Sequence, residues 1–128
     1  MKNLTREDKV KQFRDAASKK TFNQDPDNPD VSIAVGIVEE LNEFLVAADA
    51  YIKNSKDEDL RADLCKEWAD VQYVVSQAAL YFDIPADESF NRVHRSNMTK
   101  VIDGKVILRA DGKILKPDTY VSPNMRGL

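Results

Sequence analysis

The chain has 128 residues, enough for one hydrophobic core and too few for two, so a single domain over 1–128 is expected, helical to about residue 100 with an extended basic tail beyond. A composition of 42% hydrophobic and 32% charged residues without a long apolar run excludes a membrane span, and the polar start MKNLTREDKVKQF lacks a secretory signal, so a cytoplasmic address is expected. A net charge of −3 argues against nucleic-acid binding, one cysteine (Cys65) excludes an internal disulfide, and one histidine (His94) argues against zinc.

In chain order, Thr5 begins a helix with Asp8 in capping-box position and Val10, Phe13 and Ala17 on one face, fading near Phe22. NQDPDNPD, residues 23 to 30, reads as loop. Asp30 is placed to cap a second helix from about Val31 to Asn54, whose apolar face carries Ile33, Ile37, Val38, Leu41, Phe44, Leu45, Ala48 and Ile52. A polar break at 54 to 59 turns the chain into an antiparallel third helix, about Asp57 to Phe82. Pro85 marks the next boundary, and ADESFNRVHRSNMTK reads as a shorter fourth helix with Phe90 and Val93 facing inward. Beyond Lys100 the pattern becomes extended, with a tight-turn signal at Asp111-Gly112. The expected fold is an all-α antiparallel bundle of about four helices with a C-terminal tail. Wide apolar faces on the central helices point to a homodimer or homotetramer.

Charge is unevenly spread. Six basic residues from Lys100 onward face three acids, a local balance of +3 against −6 for residues 1 to 99. Such a division suits a ligand combining metal ions with phosphates, or simply a solvated tail.

On the third helix Leu60, Leu64, Val71, Val74 and Ala78 form an apolar stripe, and Glu67 falls within it, with Asp70 at its edge. A carboxylate there needs a cation, either an Arg or Lys from another helix or a metal ion. The second helix carries EELNE, whose Glu39, Glu40 and Glu43 share an arc of about 100°. That arc taken alone reads as a solvated face, with Glu40 at its border. If the two helices are antiparallel neighbours, all five acids can converge between them. Oxygen ligands without His or Cys then select Mg²⁺, or Mn²⁺ in its place, and imply a polyphosphate substrate.

These residues resemble the all-α nucleoside triphosphate pyrophosphohydrolases, a group spanning MazG-like proteins, dimeric dUTPases and phosphoribosyl-ATP pyrophosphohydrolase. The signature E-E-x-x-E followed by E-x-x-D is matched by EELNE at 39 to 43 and EWAD at 67 to 70, VHRSNMTK at 93 to 100 is similar to S-N-M-x-K, and RADGKILKPDTYVSP looks like the R-x-D-G-K-x-x-K-P tail of the MazG-like group. One departure is Tyr120, where many relatives carry tryptophan.

The resemblance implies Mg²⁺-dependent cleavage of a (d)NTP between its α and β phosphates. It assigns Glu40, Glu43, Glu67 and Asp70 to the metal, Glu39 to the attacking water, and Asn97 and Lys100, with Arg109 and Lys116 behind them, to the substrate. The alternative for Lys100 is a solvated surface lysine, and for Arg109 and Lys116 a flexible basic tail. Trp68 is read as core or oligomer interface, or less readily as a wall of the base pocket. The rival substrates are dUTP and phosphoribosyl-ATP. The rival of another class is a non-catalytic helical oligomerisation module.

Overall fold

The computed structural model describes residues 3–17 and 31–128. Four helices follow one another: α1 (Arg6–Ala16), α2 (Ser32–Lys53), α3 (Glu58–Tyr81) and α4 (Ala86–Met98). The fold class is all-α and bundle-like, and among the described residues the only β pairing is two isolated bridges in the C-terminal segment. No described helix is long and apolar enough to cross a membrane. The chain forms two compact units, Met1–Asp83 and Ile84–Leu128.

In the first unit, α1 opens with the expected capping box. Thr5 Oγ1 accepts from the Asp8 amide at 3.1 Å and Asp8 Oδ2 accepts from the Thr5 amide at 2.9 Å, satisfying two donors that a helix start otherwise leaves bare. α1 docks on α3 through Val10, 3% exposed, and through a polar seam. There Ser76 Oγ donates to Glu7 Oε1 at 3.1 Å and accepts from Gln72 Nε2 at 3.1 Å. Phe13, expected on one face with Val10, is exposed, with an edge-to-face contact to Tyr73 at 5.8 Å, while Val10 is the residue of that face that becomes buried. Asp30 and the loop at 23 to 30 lie outside the described residues, as does the stretch toward Phe22 where the first helix was expected to fade. The residue before α2 is Val31, and among the described residues no side chain caps that helix.

α2 ends at Lys53, and Asp57 starts α3 by accepting from the amides of Asp59 (2.9 Å) and Leu60 (3.2 Å). Glu58 and Asp59 add negative charge where the helix dipole is positive. Returning after so short a turn, α3 runs antiparallel to α2 and packs along it. Leu60, Leu64, Val71, Val74 and Ala78 are all half-buried, so the stripe exists, although the described residues leave it partly open. α2 has no fully buried residue, because its apolar face is wider than α3 can cover.

In the second unit, Pro85 precedes α4, and successive amides of Thr99, Lys100 and Val101 donate three residues back to Ser96, Asn97 and Met98, winding the helix out. Phe90, at 74% exposed, and Val93 do not face inward as predicted; the side of α4 that is covered is the one carrying Ser96. Two turns follow. Ile102 pairs with Lys105 around Asp103 (φ 50°) and Gly104 (φ 75°), the positive pair of a primed hairpin turn. Leu108 pairs with Ile114 around the expected Asp111-Gly112 turn, with Gly112 at φ 88°.

Candidate metal centre and its surroundings

Antiparallel packing sets the middle of α2 beside the middle of α3. Spacings of three and four residues hold Glu40 and Glu43 on one side of α2, and a spacing of three does the same for Glu67 and Asp70 on α3. One carboxylate oxygen from each of the four lies within 4.8 Å of the other three. Glu39, by contrast, is exposed and stands outside this cluster, so four of the five acids converge rather than all five.

The cluster is under electrostatic stress. Glu40 Oε2 and Glu67 Oε2 are buried without a hydrogen-bond partner among the described residues. Burial, and then the charges of Glu43 and Asp70, a hydrogen bond with Glu43 and the charge of Glu67, hold the Glu40 carboxyl above its ordinary value. Glu67 has a side chain only 17% exposed. The cation nearest to relieving the strain is Lys66, whose Nζ lies 2.7 Å from Asp70 Oδ2 and 3.3 Å from Glu67 Oε1. Hydrogen bonding to Asp70, then Glu67, raises the pKa of that ammonium. Lys66 itself is largely exposed and leaves the two inner oxygens bare. Clustered carboxylates with orphaned inner oxygens fit a hard divalent cation, which takes several oxygen ligands.

Beside these acids, between α2 and α3, lies an open groove of about 540 Å³. Val46, Ala47, Ala50 and Leu60 form its apolar wall, Asn42 and Asp63 supply polar groups, and Glu43 and Glu67 close one end. Trp68 is not core. It is 50% exposed, with the Arg6 guanidinium 5.8 Å above its ring.

The remaining candidates belong to the second unit. Lys100 Nζ donates to Asn97 Oδ1 at 3.1 Å, as the three-residue spacing allows. Lys100 and Lys116 both sit over the ring of Tyr120, their Nζ atoms 5.4 and 5.1 Å from its centroid. Arg109 is not with them: it is exposed and turned onto Asp111, with Nε 2.8 Å from Oδ1 and a second bond from Nη2 to Oδ2. Three features went unread in the sequence, namely Lys66 against the α3 acids, the polar groups of the groove, and Tyr120 as the meeting point of two lysines. Lys66 was open to detection, since it stands four residues before Asp70. The lysine pair was not, because no periodicity links residues 100, 116 and 120.

The chain is thus an all-α protein whose two central helices bring together four carboxylates that could hold a metal ion. Residues 6–97 match the family model of phosphoribosyl-ATP pyrophosphohydrolase, and the chain belongs to that family. It is therefore a member of the all-α MazG-like nucleotide pyrophosphohydrolase superfamily and a pyrophosphohydrolase acting on acid anhydrides. The resemblance had favoured the MazG-like group, whereas the match falls on a family it had counted as a rival. Membership also sets aside the non-catalytic oligomerisation module. The match ends before Lys100, Lys116 and Tyr120. No curated protein matches the chain.

Proposed function

We propose that the chain is a Mg²⁺-dependent nucleoside triphosphate pyrophosphohydrolase that adds water across the anhydride between the α and β phosphates of a (d)NTP, releasing a monophosphate and pyrophosphate. The observation that carries this reading is the convergence of Glu40, Glu43, Glu67 and Asp70 with two inner oxygens unsatisfied. These four residues would hold the metal. When bound, Mg²⁺ neutralises phosphate charge and acidifies coordinated water. Glu39, adjacent in sequence and exposed, accepts the proton of the attacking water. Asn97 and Lys100 contact substrate, with Lys116 beside them; Arg109 is the weaker member, because Asp111 already occupies its guanidinium.

A second reading, hydrolysis of phosphoribosyl-ATP, is favoured by the family match itself. It uses the same acids and the same bond type, and differs in the phosphoribosyl group carried by the base. A pyrophosphate-release screen over NTPs, dNTPs, dUTP and phosphoribosyl-ATP with Mg²⁺ separates the readings. Turnover of several triphosphates supports the first; exclusive use of phosphoribosyl-ATP replaces it with the second. Glu67→Gln removes a ligand charge with little change in shape, so turnover is expected to vanish while circular dichroism retains the helices. Mn²⁺ is expected to raise the melting temperature of the native chain and to do so far less in Glu67→Gln. Undiminished turnover in the variant would exclude this centre.

A further inference from the structure

Three of the basic side chains in the second unit are already paired with acids. Arg92 and Arg95 bind Glu88, and Arg109 binds Asp111. Lys100 and Lys116 differ: among the described residues neither has a carboxylate partner, yet both ammonium groups are drawn over one aromatic ring. Two like charges do not gather without cause. The negative face of the phenol ring attracts each of them and offsets their repulsion.

The backbone carrying the ring is held by a chain of hydrogen bonds between the tail and the end of α4. The Tyr120 amide donates to Pro117 O at 2.9 Å, closing a turn. Thr119 Oγ1 donates to Thr99 O at 2.8 Å, the Val121 amide donates to Thr99 Oγ1 at 2.9 Å, and Ser96 Oγ donates to Val121 O at 2.6 Å. The backbone of Tyr120 is thus bracketed on both sides, which seats its ring beside Lys100. Hydrogen bonding with Ser122 and then Ser96 holds the phenol below its ordinary pKa, with the charges of Lys116 and Lys100 adding to the effect.

We propose that Tyr120 is a positioning residue that gathers the ammonium groups of Lys100 and Lys116 into one binding site for phosphate groups. The proposal deepens the pyrophosphohydrolase reading and rests on it for the identity of the natural ligand. Lysine loses much side-chain freedom when it grips a ligand, so ordering two of them beforehand lowers the cost of binding. Lys100 spends one of its three N–H donors on Asn97 and keeps two for an anion. The site is a binding device, so it acts on affinity rather than on the chemical step.

The test uses the full chain with Tyr120→Leu, Tyr120→Phe and Lys116→Met. Tripolyphosphate binding is measured by calorimetry without metal, and KM and kcat are measured with Mg²⁺ on the best substrate of the screen. Leucine removes the aromatic face, and a weakening of tripolyphosphate binding by about fivefold is expected, with KM rising in parallel and kcat little changed. Phenylalanine keeps the face and loses the hydroxyl, and it is expected to restore most of the affinity. Should Tyr120→Leu bind as the native chain does, or Tyr120→Phe lose as much as Tyr120→Leu, the proposal is overturned; the second result would assign the residue to the hydroxyl network alone. If Tyr120→Leu does not fold, Lys116→Met decides, with unchanged tripolyphosphate affinity counting against the pair. A native chain that binds tripolyphosphate through these residues but turns over no substrate would refute the pyrophosphohydrolase reading and leave the lysine pair standing.

Discussion

Glu67 and Glu88 show how differently one side chain behaves in two settings. Glu67 sits on an apolar stripe with one oxygen unsatisfied, whereas Glu88, more exposed, accepts from Arg92 at 2.9 Å and Arg95 at 3.2 Å. The Arg92 hydrogen bond, then the Arg95 one, holds the Glu88 carboxyl below its ordinary value of 4.5. A lowered carboxylate pKa stabilises the fold above the unfolded value, and the gain disappears as pH falls through the folded one. Melting curves at about pH 7 and about pH 3 are expected to differ less in Glu88→Gln than in the native chain, because the variant has no such proton to take up. The effect is modest, since water screens this pair. At this scale the anomaly of Glu67 was legible from the 3.6-residue repeat alone, as was the border position of Glu40. The Lys66–Asp70 pair was open to reading as well, from its four-residue spacing, whereas the reach of Lys66 to Glu67 was not, because adjacent residues do not face each other on a helix.

Helix limits were legible to within about two residues at Thr5, Asp57 and Pro85, each the boundary residue before a helix, because capping and proline geometry are local. Which faces are covered was not local, and there the wheel failed for Phe13, Phe90 and Val93. A periodic stripe states what a helix would bury if another element arrived; it does not supply the element. The α1 cap can be tested at the scale of one helix. Thr5→Ala removes the hydroxyl half of the box while the backbone amide that donates to Asp8 remains, and a loss of about 1 kcal/mol is expected in urea denaturation, with Thr5→Ser close to native. An unchanged midpoint for Thr5→Ala would mean that α1 is held by Val10 and the Ser76 seam alone.

Across the whole molecule, the apolar side chains of α2 remain the largest unsettled account. Val46 is 71% exposed and Ile52 76%, and Leu45, Val38 and Val35 join them on the same helix. Apolar surface left in water forgoes about 25 cal/mol per Å². Association of identical chains is the expected remedy, so light scattering is expected to give at least twice the chain mass, and the double variant Val46→Glu with Ile52→Glu to shift the population toward monomer. A native chain that scatters as a monomer at every concentration would refute this. The carboxylates have a different consequence. They project from the waists of two long rods rather than from loops, so an ion seated there would work as a rivet, tying each rod to the other at mid-length. Metal supply would then govern how firmly the scaffold holds together as well as how fast it turns over, and starvation for the ion would loosen both at once.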